Sequence, residues 1–265
     1  MSTPDTSNQT APDPGEALAP SRPAAGPSLK PLIWQLVGIL IALGILLVWL
    51  ATADLSETER ATLAPDALWG YTVEHLQLTV LATVIVLVIA IPLGIALTRG
   101  PLRKASGPIV AVANFGQAAP AIGLVVLLAF WVGFGFWAAI IALVAYGILP
   151  VLRNTMVGLR QVDERLIEAG RGMGMSSGAV LWKVELPLAV PVMLAGIRTA
   201  LVLLVGTATL ATFINGGGLG ILITTGVNLD LTAVLVAGSL LVALLALIVD
   251  WLGRLVEHVA RPKGL

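Results

Sequence analysis

The chain contains no cysteine and few charged residues, and both shortages restrict what it can be. Of its 265 residues, 11% are charged and 57% are hydrophobic, and the formal net charge is zero. Without cysteine the chain has no disulfide, no thiolate metal site and no thiol nucleophile. The balanced charge argues against nucleic acid as a partner. The composition is typical of a membrane protein that crosses the bilayer several times.

Residues 1–31 differ from the rest of the chain because they are rich in Pro, Ala, Ser and Thr. Such a segment buries too little apolar surface to offset its ordering entropy, so we predict a disordered cytoplasmic tail. The apolar run that follows, 32–50, is long enough to span a bilayer. The sequence Ala51-Thr52-Ala53 also allows a signal-peptide interpretation, but the run is longer than a usual signal-peptide core, which favours an uncleaved anchor.

Five further apolar runs each approach the roughly 20 residues that a membrane-spanning helix needs. They cover residues 76–98, 108–132, 134–153, 191–213 and 232–253, and residues 51–75 form a predicted extracellular loop. Only helices and closed barrels satisfy their backbone groups in lipid, and the runs lack the alternation of barrel strands. The sequence therefore predicts an all-α polytopic membrane protein with six transmembrane helices, one of them broken at Pro120.

Basic residues are distributed very unevenly between the two sides of these spans. If the N-terminus is cytoplasmic, all of the 15 Lys and Arg residues except Arg60 fall on the cytoplasmic side. Cytoplasmic loops of membrane proteins carry this excess of positive charge. Both termini, and the charged segment 157–189, are therefore predicted to be cytoplasmic.

The segment 157–189 is the most informative part of the sequence. Each of its charges would cost about 3 kcal/mol at a bilayer centre, so the segment is expected to lie in water. Asp163 is placed to cap a helix that runs from Glu164 toward Gly172, and Ser176 or Ser177 to cap a second helix that ends before Pro187. Gly172 and Gly174 break the chain between them. Two short helices would form a compact knob that a partner can reach.

The residue spacing in this segment resembles the docking motif of permease subunits in binding-protein-dependent ABC importers. The matching residues are Glu168, Ala169, Gly174, Leu186 and Pro187, whereas Gly170 replaces an alanine and Val184 an isoleucine. Composition alone favours an ordinary solvated loop, and the motif with its cytoplasmic placement reverses that preference. The resemblance implies that a separate ATPase subunit docks on Glu168, Ala169, Gly170, Arg171, Gly174, Leu186 and Pro187.

Other stretches between His75 and Lys263 resemble the permeases for glycine betaine, carnitine and choline. They include Gln117-Ala118-Ala119-Pro120, Leu149-Pro150-Val151-Leu152-Arg153-Asn154-Thr155, Gly216-Gly217-Gly218-Leu219-Gly220 and Pro262-Lys263-Gly264. The resemblance implies a type I ABC-importer permease core over 76–262, with helix 32–50 added before it. It also implies an ATPase subunit that uses ATP and Mg, a second identical or different permease, and a separate extracellular binding protein. This chain itself would bind no cofactor and catalyse no reaction.

The function implied by the resemblance is a pathway for a quaternary-amine osmoprotectant through a bacterial inner (plasma) membrane. Another betaine or an amino-acid derivative stays open as cargo, because the first selection occurs on the binding protein. The alternative from a different class is an ion-coupled secondary transporter. That design favours ionisable groups at the centre of its spans, and no Asp, Glu, Lys or Arg lies there in this sequence.

Polar side chains within the spans are candidates for the wall of the pathway. They are Asn114, Gln117, Tyr146, Thr207 and Thr209. For the two amides, hydrogen bonding between helices is an equally good interpretation. For the threonines, a bond to the backbone of their own helix is the better one.

The glycines Gly216, Gly217, Gly218 and Gly220 predict a tight outer turn that serves as a gate. A phosphate-binding loop is a poor alternative, because no strand precedes the glycines and no Lys-Ser/Thr pair follows them.

Three other features are explained without a functional site. Asp250 and Arg254 predict an ion pair within one helix, in preference to a proton relay. His75 and His258 are predicted at opposite membrane surfaces. The aromatic residues between Phe130 and Trp137 predict an interfacial belt, with a cation–π site for a quaternary amine as the lesser alternative.

Overall fold

The computed structural model describes residues 29–260, which form helices joined by short turns. The helices are α1 (Lys30–Thr52), α2 (Glu57–Thr62), α3 (Pro65–Leu97), α4 (Ser106–Ala118), α5 (Ala121–Val132), α6 (Phe136–Arg160), α7 (Glu164–Gly172), α8 (Ser177–Val180), α9 (Leu186–Ala208), α10 (Gly220–Asn228) and α11 (Thr232–Ala260). No residue within 29–260 lies in a strand, so the predicted all-α class is confirmed. Most of the predicted tail, 1–28, and the Pro262-Lys263-Gly264 motif lie outside the described residues.

Five helical segments are long and apolar enough to cross a bilayer: α1, α3, α6, the continuous segment Ser177–Ile214, and α11. The predicted span 108–132 is not one straight helix, because α4 and α5 meet at a bend of 101°. Ala119 is extended at the bend, as expected for a residue that precedes proline. The break predicted at Pro120 is therefore present, and a sixth crossing requires the bent pair to act as one span.

Several helix boundaries differ from the predicted spans. α3 begins at Pro65, so the predicted loop 51–75 is largely helical, and α6 continues to Arg160. Hydropathy marks the apolar part of a helix, whereas caps and prolines decide where the helix begins and ends. Proline at the first turn of α3 needs no hydrogen-bond partner there, which explains the early start.

The second helix of the knob was predicted to end before Pro187, and this prediction is wrong. After α8 the chain forms a π-helical turn, Leu181–Glu185, and continues directly into α9. The Leu186 N–H donates to the carbonyl oxygen of Leu181, five residues back, as a π turn requires. Pro187 has no N–H to donate and lies in the first turn of α9, where proline is tolerated.

α6 lies at the centre of the packing and contacts α3, α4, α5 and α9. Glycines let α6 and α9 approach closely: Gly147 lies against Leu204, and Gly196 lies against Asn154 and the carbonyl oxygen of Pro150. Small residues at helix crossings serve this purpose in membrane proteins. Because α6 leads into the knob and α9 leads out of it, the knob is attached to two tightly packed helices.

α1 packs along α11 and is tied to it by two hydrogen bonds. The Trp251 indole donates to the carbonyl oxygen of Leu32 (2.9 Å), and the Gln35 amide donates to Asp250 (3.0 Å). The predicted pair between Asp250 and Arg254 is present at 2.8 Å. α1 is thus integrated with the C-terminal helix.

A charged side chain of α9 joins the same cluster. Arg198 lies 3.8 Å from Asp250 and 3.5 Å from Glu257. Gly253 makes room for this arginine, since a Cβ there would lie 2.8 Å from its Cγ. The cluster therefore links α1, α9 and α11 near one end of the bundle.

Candidate functional site

The knob, residues 161–185, contains α7, α8 and the π turn between α6 and α9. Its helices are capped as the sequence predicts: Asp163 accepts from the Arg165 N–H (2.9 Å) and Ser176 from the Ala179 N–H (3.3 Å). Gly174 has a φ of +84°, which side-chain-bearing residues rarely adopt. Glycine at this position therefore permits the sharp turn between the two helices.

One face of α7 is apolar and uncovered. Leu166 and Ala169 of α7, and Met173 directly after its last residue, recur at intervals of three and four residues, which places them on the same side of the knob. Leu166 is 48% exposed and Met173 72% exposed. Glu168 and Arg171 are exposed on the same short helix. An apolar stripe with charged neighbours is typical of a surface that binds another protein.

Gly170 lies on the buried side of α7. A Cβ at this position would lie 3.4 Å from the Val180 Cγ2 and 3.6 Å from the Met175 Sδ, which are ordinary contact distances. An alanine, which is the residue that the motif has at this position, would therefore fit. The glycine is a small departure that leaves the shape of the knob intact.

Leu186 and Pro187 lie at the base of the knob, in the first turn of α9. Leu186 packs against an apolar cluster of Leu159, Ala189 and Met193. Leu186 therefore helps to fix the knob on α9, whereas Pro187, Glu168, Ala169 and Arg171 are exposed.

Glu185, at the end of the π turn, is not among the site residues predicted from the sequence. It is only 7% exposed, and its carboxylate forms an ion pair with the Arg99 guanidinium. The partner lies 86 positions away in the sequence. No local pattern predicts a pairing over that distance.

The structure separates the pathway candidates into two groups. Asn114 is exposed and Gln117 is half-buried, both on α4, which has no buried residue. Thr207 is 8% exposed and donates to the Leu203 carbonyl oxygen, and Thr209 donates to that of Gly206. The threonines thus bond to their own helical segment, and Asn114 and Gln117 remain as pathway candidates.

Tyr146 has a structural contact of its own. Its hydroxyl donates to the carbonyl oxygen of Ala119 at 2.8 Å. That carbonyl lies at the break between α4 and α5, where regular helical bonding stops. Tyr146 therefore fastens the bend to α6.

The glycine turn, residues 215–220, is as tight as the sequence predicts. Gly217 and Gly218 have φ values of +84° and +92°, and Asn215 is left-handed at +59°. A Cβ on Gly220 would lie 2.0 Å from the Thr209 carbonyl oxygen, so no larger residue fits there. A role as a gate stays a prediction. The short helix α10 that follows was not predicted.

Two residues of α3 lie against the glycine turn. Glu74 accepts a hydrogen bond from the Gly218 N–H at 2.9 Å. His75 is fully buried, and its Nε2 lies 2.9 Å from the Val205 carbonyl oxygen. The predicted surface position of His75 is wrong, because the glycine turn and α9 cover the part of α3 that was expected to be a loop.

The aromatic residues between α5 and α6 are largely exposed. Phe130 and Phe134 pack edge to face with ring centres 5.7 Å apart, as do Phe136 and Trp137 at 5.6 Å. Trp131 is 84% exposed. This exposure fits the interfacial belt that the sequence favours.

The chain is similar to known permease proteins of bacterial transport systems. Residues 90–261 match the family described as "Binding-protein-dependent transport system inner membrane component". The glycine betaine/carnitine/choline transport system permease protein of Bacillus subtilis (strain 168) is 41% identical, over 72% of this chain and 88% of that protein. The osmoprotectant import permease protein of Salmonella typhimurium is 37% identical, over 73% and 92% respectively.

Solved structures show the same fold. An inward-facing structure of the MetNI methionine ABC transporter aligns with a TM-score of 0.64 and 24% identity. The alignment covers 76% of this chain and 100% of the other. The region matched by the family contains the knob, α4 and the glycine turn.

Proposed function

Because the chain belongs to the family of binding-protein-dependent transport system inner membrane components, we propose that it is the permease subunit of an ATP-driven importer for small quaternary amines. It is a multi-pass protein of a bacterial inner membrane. Relatives named for glycine betaine, carnitine and choline support this class of cargo. In the structure, the proposal rests on the exposed face of α7.

The exposed face of α7 is the proposed docking site for the ATPase subunit. Met173 and Leu166 offer an apolar stripe, and Glu168 and Arg171 offer charges that can pair across an interface. The distribution of basic residues supports a cytoplasmic position for the knob. ATP hydrolysis would take place in the docked subunit, with Mg bound there.

Attachment of the knob to both α6 and α9 explains how docking can act on the pathway. Gly158 of α6 lies against the Ala189 carbonyl oxygen of α9, so the two helices are in close contact where they leave the knob. A displacement of the knob would therefore tilt this helix pair as a unit. Nucleotide binding acts by stabilising one of two arrangements, without any covalent step in this chain.

Asn114 and Gln117 are the proposed polar residues of the pathway, which would lie between this chain and a second permease. A quaternary amine has no N–H donor, so it requires no strong acceptor along its route. Weakly polar, hydrated walls are sufficient and allow the cation to leave again. The uncovered side of α4 supplies such groups.

The proposed function is tested by reconstitution in lipid vesicles. We expect uptake of radiolabelled glycine betaine, choline or carnitine only when this chain, the ATPase subunit, the binding protein and Mg-ATP are all present. Vesicles with a catalytically inactive ATPase are the matched control. Uptake by this chain alone, driven by an ion gradient, would contradict the proposal and support a secondary transporter.

Cysteine labelling tests the pathway, and the chain has no natural cysteine that would interfere. Cysteine at position 114 or 117 is expected to react with a small water-soluble thiol reagent, at a rate that differs between nucleotide-free and ATP-trapped complexes. Thr207→Cys is the matched control, because Thr207 is 8% exposed and should stay unreactive in both states. No labelling at 114 and 117 in either state would assign the amides to helix packing, and labelling at a rate that does not change with nucleotide would contradict a position in the pathway.

A further inference from the structure

We infer that the ion pair between Arg99 and Glu185 positions α4, so that a movement of the knob is transmitted directly to the helix that carries Asn114 and Gln117. The inference rests on the proposed function. It adds a second route from the knob into the membrane part, besides the direct connections to α6 and α9.

The pair joins two connections that are distant in sequence. Glu185 ends the π turn of the knob, and Arg99 follows α3 immediately before the 3-10 turn Gly100–Ala105, which leads into α4. The Arg99 Nη2 contacts the Glu185 Oε2. The ion pair therefore connects the exit of the knob to the junction between α3 and the 3-10 turn, through which the chain continues into α4.

Partial burial makes this ion pair less sensitive to salt, and more sensitive to the loss of one partner, than an ordinary surface ion pair. The Glu185 side chain is 10% exposed and that of Arg99 is 32% exposed. Partly buried charges are screened little by salt, and removal of one partner leaves the other without compensation. The two segments are therefore expected to move together as long as the pair is intact.

α4 is well suited to respond to such a movement. It has no buried residue, and α5 turns away from it at 101°. At its far end, the Tyr146 hydroxyl holds the Ala119 carbonyl oxygen. A helix without buried residues, linked through the 3-10 turn to the ion pair at one end and fastened by Tyr146 at the other, can shift when one of those contacts is displaced. The shift would move Asn114 and Gln117 relative to the remaining helices.

Charge exchange distinguishes this role from a purely structural one. The reconstituted complex is compared in three variants: Arg99→Glu, Glu185→Arg and the double exchange. Arg103→Glu is the matched control. Arg103 lies four positions after Arg99, on the 3-10 turn that follows it, and is exposed. Each complex is assayed for its amount in the membrane, for ATP hydrolysis stimulated by solute-loaded binding protein, and for solute transported per ATP.

For each single reversal we expect solute transported per ATP to fall about tenfold, within the range of coupling between contacting residues, while ATP hydrolysis continues. The double exchange should recover most of this loss, and Arg103→Glu should resemble the wild type. Labelling of cysteine at 117 should lose its nucleotide dependence in the single variants and regain it in the double exchange. A role in stability alone would not produce that change.

Three outcomes would overturn the inference while the wild-type complex remains active: no effect of the single reversals, no recovery in the double exchange, or an equal loss of hydrolysis and transport. If the reversals prevent assembly, Glu185→Gln and Arg99→Lys provide milder variants for the same measurements. Failure of the wild-type complex to transport with ATP would instead contradict the proposed function.

Discussion

Replacement of Glu168 by lysine is expected to abolish most of the transport while the permease remains folded in the membrane. Glu168 is exposed on α7, so its side chain contributes little to the packing of the chain. If the proposed ATPase contact forms, a reversed charge at the interface costs about 2 kcal/mol or more, which is roughly a 30-fold loss of affinity. The measurements are co-purification of the ATPase subunit with the permease and solute uptake by the complex.

Two variants of the same knob serve as controls for the Glu168→Lys result. Gly170→Ala adds a Cβ that fits against Val180, so transport should stay near the wild-type value. Gly174→Val requires a β-branched residue at a φ of +84° and should distort the knob itself. Full ATPase binding and full transport by Glu168→Lys would show that the docking surface is elsewhere.

Gly196→Ala is expected to reduce the amount of folded protein, and to do so more than a glycine-to-alanine substitution elsewhere in α9. The new Cβ would lie 2.4 Å from the Asn154 Cβ and 2.8 Å from the Pro150 carbonyl oxygen. α9 would have to move away from α6, and overpacking of this kind costs about 1–3 kcal/mol or more. The expected result is less protein in the membrane and a lower unfolding temperature in detergent.

Gly206→Ala is the matched control for Gly196→Ala, because it makes the same change on the same helix. No atom lies within 4 Å of a Cβ at Gly206. Alanine is also the better helix former, so the stability of this variant should be equal to that of the wild type or higher. Similar unfolding temperatures for the two variants would mean that α6 and α9 are not in close contact at Gly196.

The residues of the knob illustrate what can be predicted from short stretches of sequence. Asp163, Ser176 and Gly174 cap or end the two helices through contacts within a few positions, and the structure contains all three features. Proline at position 187 suggests that the second helix ends before it. In the structure the chain instead stays helical, because the π turn Leu181–Glu185 leads directly into α9 and Pro187 lies in the first turn of α9.

The all-helical membrane class, the break at Pro120 and the two capped helices of the knob can all be predicted from the amino-acid sequence. Each of these depends on hydropathy over about 20 residues or on bonds within one or two helical turns. Family membership also follows from sequence, since the match covers residues 90–261.

Contacts between polar groups that are far apart in the sequence depend on how the helices pack. Packing buries His75 beneath the glycine turn, pairs Arg99 with Glu185, and connects α1 to Asp250 through Gln35. In each case the partner belongs to a helix or turn far away in the sequence. Hydropathy and local spacing do not specify how helices pack against one another, and packing is what brings these side chains within reach.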